Sequence, residues 1–299
     1  MLSAVSGETS IVVGSSPLRR AVLRLSLFRR SRYATAGAAI VLFFILLSVV
    51  GPLIAPYNPS ATSTAGLQAP SWSHLLGTTQ SGQDVLSQLL DSAAPSLELG
   101  FLTAALATVL SVVIGVGSGY FVGIKGEALS SLANVFLVIP SLPLIIVLVA
   151  YLPSRGNVTM AVVISVTGWA WGARVIRAQT LSLRNRDDIL AARATGEKTW
   201  RIMFVEMLPG LIPIIISGFL FTTVFAIVTE ASLAFLGLSD INSWSWGTML
   251  YWAENDQAFT LGAWWWYVAP GLCIGVIGMG LGFINLGIDD IINPRLREA

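Results

Sequence analysis

Six long stretches of this chain carry no charge or a single one at the edge, and nothing constrains its fold more. A hydrocarbon core of roughly 30 Å needs about 20 apolar residues in helix. Residues 34–54 contain no charge, 97–123 carry only Glu98 at the edge, and 129–151 are interrupted by Pro140 and Pro143. Residues 158–172 are the shortest stretch and are expected to continue as helix into the polar segment beyond; 208–229 and 265–288 complete the set. Only 11% of residues are charged, against about 25% in an average soluble domain. A soluble fold could not hide that much apolar surface, which argues against a soluble enzyme, a nucleic-acid binder and a disulfide scaffold. Cys273 and His74 are the only residues of their kinds. An intrachain disulfide, a thiol metal cluster, a His-based metal site and a Ser-His-Asp triad within the membrane are therefore not expected.

The charges orient the spans. Arg19, Arg20, Arg24, Arg29, Arg30 and Arg32 precede the first, and Lys125 follows the second. Arg174, Arg177, Arg184, Arg186, Arg193, Lys198 and Arg201 follow the fourth, and Arg295 and Arg297 follow the last. All but Arg155 of the 17 basic residues thus fall on one side. The positive-inside rule makes that side cytoplasmic. The expectation is an all-α integral membrane protein with six transmembrane helices and both termini in the cytoplasm. A basic segment, 1–32, precedes a membrane domain, 33–299, with outer loops of about 55–96 and 237–263 and a cytoplasmic loop at 174–207. The first apolar run lies too far from the start, and is too long, to be a cleavable signal core, and reads as a permanent anchor. Residues 1–17 lack helical periodicity and read as disordered, and the arginine cluster after them is suited to anionic headgroups.

The 174–207 loop is long for a connector. Asp187 and Asp188 open the segment Ile189, Leu190, Ala191, Ala192, Arg193, Ala194 and Thr195, and Gly196 closes it. Acidic residues at the start and glycine just past the end are helix boundary signals. The spacing predicts a short helix with a small-residue surface, then a second helical stretch over 198–208 leading through Pro209 into the fifth span. Small residues admit close approach of another protein, and an exposed helix carrying Ile189 and Leu190 is better covered than bare.

At this loop the chain resembles a known family. Ala191-Ala192-Arg193-Ala194-Thr195-Gly196, with Ile202 and Leu208-Pro209, is similar to the cytoplasmic EAA loop of ABC importer permeases. Ala55-Pro56-Tyr57-Asn58-Pro59, Pro70-Ser71-Trp72, His74 to Thr78 and Gly82 to Ser87 resemble the C-type permeases of oligopeptide, dipeptide and nickel importers. So do Phe235 to Leu238, Ser245-Trp246-Gly247, Ala263-Trp264-Trp265 with Pro270-Gly271, and Asn293 to Arg297. Leu190 stands where the family motif usually has glutamate, and Glu206 where histidine is common.

The resemblance implies a type I ABC importer permease fold in a prokaryotic cytoplasmic membrane. It makes 187–196 the coupling helix that docks in an ATPase subunit. It implies a second homologous permease subunit, two ATPase subunits at the cytoplasmic face, an extracytoplasmic substrate-binding protein, and alternating access to peptide cargo, with nickel or another small solute as the alternative. It implies no catalysis and no bound cofactor in this chain, with ATP and Mg held by the ATPases. The sequence agrees that no phosphate loop is present, since Gly196-Glu197-Lys198-Thr199 lacks the G-x-x-x-x-G-K-[ST] spacing.

Other features carry weaker signals. Pro140 and Pro143 invite a kink in the third span, and Glu230 is an acidic residue near the outer end of the fifth; these three are the candidates for the translocation path. Glycines at intervals of four, Gly115/Gly119/Gly123, Gly271/Gly275 and Gly278/Gly282, permit close helix packing within this chain or against a second subunit. Most tryptophans around the second outer loop read as interface anchors. An ion-coupled secondary transporter would favour charged relays at the bilayer midplane, which the spans lack, and an intramembrane hydrolase lacks an HExxH or GxSxG motif.

Overall fold

The structure is a computed structural model that describes residues 31–292, with side chains through 288. The expectations for residues 1–17, for the arginines up to Arg30 and for the Asn293–Arg297 motif lie outside the described residues. Helix α1 (Arg32–Ile54) starts at an N-cap, Ser31, whose hydroxyl accepts from Ala34 N–H. Helix α2 (Val85–Tyr120) begins a dozen residues before the apolar stretch predicted it. Asp84 caps it by accepting from Ser87 N–H, and the polar Ser87, Gln88, Ser92 and Ser96 are buried. Its 36 residues make a rod of about 54 Å, so it stands well out of a bilayer. Helix α2 takes in residues 85–96 of the outer loop expected at 55–96, because the fold buries polar side chains that a hydropathy window rejects.

The third span is not one rod. Helices α3 (Ile124–Val138) and α4 (Ser141–Ala150) meet at 86°. The residue before a proline avoids the α region, and Ile139 is extended at ψ 125°. Pro143 falls in the first turn of α4, where its missing N–H would have no partner anyway. Helix α5 (Asn157–Leu183) continues through the fourth apolar stretch into the polar segment, so the first ten residues of the 174–207 loop are helix. Helix α6 (Asp187–Ala194) is the short helix of that loop. Thr199–Arg201 and a π-helical turn, Ile202–Met207, then lead into α7 (Leu208–Phe235). Leu208 N–H donates to Met203 O in that wide turn. The π turn immediately precedes Pro209, which lacks an N–H and whose ring would crowd the carbonyl four residues back. Helix α8 (Trp246–Asn255) lies within the second outer loop, and α9 (Trp264–Ile292) closes the bundle. Among the described residues five helical stretches are long and apolar enough to cross a membrane, and the bent α3–α4 pair makes a sixth crossing if it is one span.

Close approach is set by glycine. A Cβ on Gly115 would lie 2.7 Å from Ala173 O, and one on Gly119 2.6 Å from Thr180 Cβ, so α2 and α5 pack backbone against backbone. Gly37 of α1 and Gly280 of α9 are similarly in contact. By contrast a Cβ on Gly271, Gly275 or Gly282 would meet nothing within 4 Å. The tryptophans divide in an unexpected way. Trp246, Trp265 and Trp266 are buried in the outer half of the core with Phe44, Leu97 and Ile277. They are core residues rather than interface anchors: α8 packs on α7, α9 and α2, and Trp265 Nε1–H donates to Thr78 O of the first outer loop at 3.3 Å. Trp264 remains exposed.

Candidate functional site: the short loop helix and the cavities above it

Helix α6 carries the features its sequence predicts. Asp187 and Asp188 occupy its first turn, at the positive end of the helix dipole. At the other end Glu197 N–H donates to Ala192 O and Gly196 N–H to Arg193 O, both at 3.1 Å. This is the Schellman arrangement, and it puts Gly196 in the left-handed region at φ +78°. Asp187, Asp188, Leu190, Ala191, Ala194, Thr195 and Gly196 are exposed. Ile189 is not part of that outer surface. It is 3% exposed and packs with Ile202 and Met207, beside Tyr120, Leu183 and Ala192. Ala192 and Arg193 are half-buried, so a helix this short shows only one face.

The inner face of α6 and the end of α5 are tied to the C-terminal end of α2. The Arg193 guanidinium lies 4.5 Å from the centre of the Tyr120 ring, a cation–π contact. Arg184 donates to Gly119 O at 3.4 Å, and Arg177 donates to Ser118 O at 3.4 Å and to Ser130 Oγ. Cations at a helix C-terminus complement its dipole and its free carbonyls. The arginines thus fasten α6 to the bundle as well as marking the side of the membrane.

Two cavities lie along the helices on either side of α6 in the chain. The larger, about 430 Å³, is lined by Phe136, Pro140, Ser141, Thr167, Trp171, Phe221, Thr222 and Phe225 among others. The smaller, about 130 Å³, is lined by Thr108, Ser111, Trp171, Ile176, Ile214, Ser217, Phe221, Thr222 and Asn285 among others. Neither lining includes a charged side chain. Of the three path candidates, Pro140 lines the larger cavity and Pro143 lines neither. Glu230 is only 4% exposed and faces α8, where its Oε1 accepts from Ser245 Oγ at 3.0 Å. Ser245 is the N-cap of α8, closed by a capping box with Thr248, so Glu230 anchors the outer helix instead of lining a cavity.

The aromatic and hydroxyl lining was not among the sequence candidates. No signal in the sequence singled it out, because Trp171 falls at the end of the 158–172 apolar stretch, where tryptophan reads as an interface anchor. The sequence also gave no hint that His74 and Asp84 pair. His74 Nδ1 lies 2.8 Å from Asp84 Oδ1, while the Tyr57 ring lies against the imidazole at 4.8 Å between centroids. Together they fasten the first outer loop to the start of α2.

Comparison with known proteins agrees with this architecture. Residues 111–298 match the family described as binding-protein-dependent transport system inner membrane component. Residues 16–70 match the N-terminal transmembrane domain of oligopeptide transport permease C. The chain is 31% identical to the oligopeptide transport system permease protein OppC of Bacillus subtilis over 91% of this chain and 88% of that protein. It is 33% identical to the dipeptide transport system permease protein DppC of Alkalihalophilus pseudofirmus over 95% and 91%. A chain of the inward-facing MetNI methionine ABC transporter superposes with a TM-score of 0.53 at 17% identity, over 69% of this chain and 95% of that one, and shows a common fold.

Proposed function

This chain belongs to the family of binding-protein-dependent transport system inner membrane components, and from that premise we propose that it forms half of a peptide translocation path driven through α6. It is a multi-pass inner-membrane permease subunit of an ABC importer. One observation carries the mechanism: α6 is joined on both sides to the helices that line the cavities. Helix α5 contributes Thr167 to Ile176 to the cavity walls and ends at Leu183, four residues before Asp187. The chain leaves α6, passes the π turn, and becomes α7, which contributes Ile214 to Phe225. A force on α6 is therefore applied to both cavity-lining spans at once, and the arginine contacts pass it to α2.

In this reading α6 docks in an ATPase subunit through Asp187, Asp188, Leu190, Ala191, Ala194, Thr195 and Gly196, while Ile189, Ala192 and Arg193 hold it to the bundle. Two ATPase subunits bind ATP and Mg, and this chain supplies no cofactor site and no bond chemistry. A second homologous permease completes the path, and the open glycines of α9, Gly271, Gly275 and Gly282, offer it a surface of close approach. A substrate-binding protein delivers cargo at the opposite face. Relatives named for oligopeptide and dipeptide transport make peptides the proposed cargo, and the uncharged cavity lining suits passage of a solute without holding it by ion pairs.

Co-purification of the tagged chain from its native membrane in mild detergent tests the assembly. Recovery of two ATPase subunits and a second permease is expected, followed by ATP-dependent uptake of a labelled dipeptide when the complex and its binding protein are reconstituted. A complex lacking any ATPase rules out the docking role of α6, and uptake of nickel instead of peptide rules out the cargo.

A further inference from the structure

Resting on the reading of the two cavities as the cargo path, we propose that Trp171 and Phe221 form an aromatic partition that cargo displaces to pass from one cavity to the other. The rings lie 5.2 Å apart between centroids, inclined at 33°, within the range of attractive aromatic contact. Trp171, Phe221 and Thr222 are the residues common to both linings.

The order of residues shows that the cavities are stacked along the spans. On α5, which runs toward α6, the larger cavity takes Thr167 to Trp171 and the smaller takes Trp171 to Ile176. On α7, which runs away from α6, the smaller takes Ile214 to Thr222 and the larger Phe221 to Phe225. Both antiparallel helices place the pair at the boundary, with the smaller cavity on the α6 side. Trp171 is 14 residues into α5 and Phe221 is 13 residues into α7, or about 20 Å from either start.

The rings also have room to move. Within this chain Trp171 is 51% and Phe221 57% exposed, so the rest of the chain leaves both rings half open. Gly168 and Gly218 lie one turn before Trp171 and Phe221, and a Cβ at Gly218 would meet nothing within 4 Å. Side-chain rotation at half-exposed positions is fast compared with transport, so a ring can swing when α5 and α7 shift while closing the path at rest.

The test is thiol access in the complete transporter. Cys273 is replaced by alanine, and single reporters are placed at Ser217→Cys in the smaller cavity and Ser141→Cys in the larger. Inverted membrane vesicles without nucleotide then expose the α6 side to a membrane-impermeant maleimide. Ser217→Cys is expected to react and Ser141→Cys to be protected. Adding Trp171→Ala or Phe221→Ala raises the Ser141→Cys rate about tenfold, the change for an aromatic contact at the upper end of its usual strength. Trp171→Phe keeps the rate low. Recovery of the intact complex by size exclusion accompanies each variant, and two independent truncations guard against one failing to assemble. An unchanged Ser141→Cys rate in the alanine variants, or full reactivity with both rings present, overturns the partition and leaves the path reading standing. A Ser217→Cys reporter unreactive from either face shows that the cavities are not a water path, and the partition falls with them.

Discussion

Replacing Gly196 by alanine perturbs α6, the proposed docking helix, through one backbone torsion. Gly196 is held at φ +78°, yet a Cβ there would meet nothing within 4 Å. Crowding therefore contributes nothing, and the cost is the left-handed torsion itself, about 1–2 kcal/mol for a residue with a Cβ. The strain falls on the hydrogen bonds from Gly196 and Glu197 back to Arg193 and Ala192. With eight residues, α6 is too short to hold its own end by helix propensity, so relief comes from unwinding its last turn. If the closed turn is what an ATPase subunit grips, the strain subtracts from docking and weakens it by a factor of roughly 5–30. Asparagine visits the left-handed region more readily than other residues with a Cβ, so Gly196→Asn keeps most of the affinity and Gly196→Val loses more than alanine does. Binding of purified ATPase subunits to the permease pair in nanodiscs, titrated by fluorescence, reads this order, and peptide-stimulated ATP hydrolysis should follow it. Equal affinity for glycine, asparagine and alanine would refute the assignment of Gly196 to the docking geometry.

Two further outcomes follow from the outer side of the molecule. Glu230→Ala removes the 3.0 Å acceptor for Ser245 Oγ at the start of α8 and leaves that buried hydroxyl only the longer 3.4 Å contact to Thr248 Oγ1 as an acceptor, costing about 1 kcal/mol; a lower thermal midpoint of the purified complex is expected, with Glu230→Gln closer to wild type. Loss of uptake at unchanged stability would instead place Glu230 in transport. Asp256, the C-cap of α8, has its pKa raised above 3.8 by burial, partly opposed by a hydrogen bond from Asn255. A raised acid pKa means that the folded state resists ionisation, so stability is lost as pH rises through the folded value. Asp256→Asn should therefore gain in midpoint over wild type near neutral pH and lose that gain on acidification to about pH 3; a gap that widens in acid would contradict the burial of this carboxyl.

Much of the architecture was legible in the chain because a bilayer imposes length and apolarity on each span separately. The start of α5, the continuation past its apolar stretch, the α6 boundaries and the break at Pro140 all follow from local rules of capping, proline geometry and hydropathy. The early start of α2 did not, because Ser87, Gln88 and Ser92 count as polar in a window although the fold buries them. Glu230 looked like a path residue from its depth along the helix, and depth is silent about azimuth.

What the sequence by itself determined is the set of crossings, the side on which the basic residues gather, and the short helix of the 174–207 loop. Each depends on residues near one another along the chain. Only the tertiary structure decided that Ile189 and Arg193 turn inward while Leu190 and Ala191 turn outward, that Trp246 and Trp266 are core, and that Trp171 meets Phe221 across two spans. Those facts depend on how helices rotate and pack about one another. That rotation is set by contacts between residues fifty or more positions apart, such as Gly115 against Ala173, which no local pattern encodes.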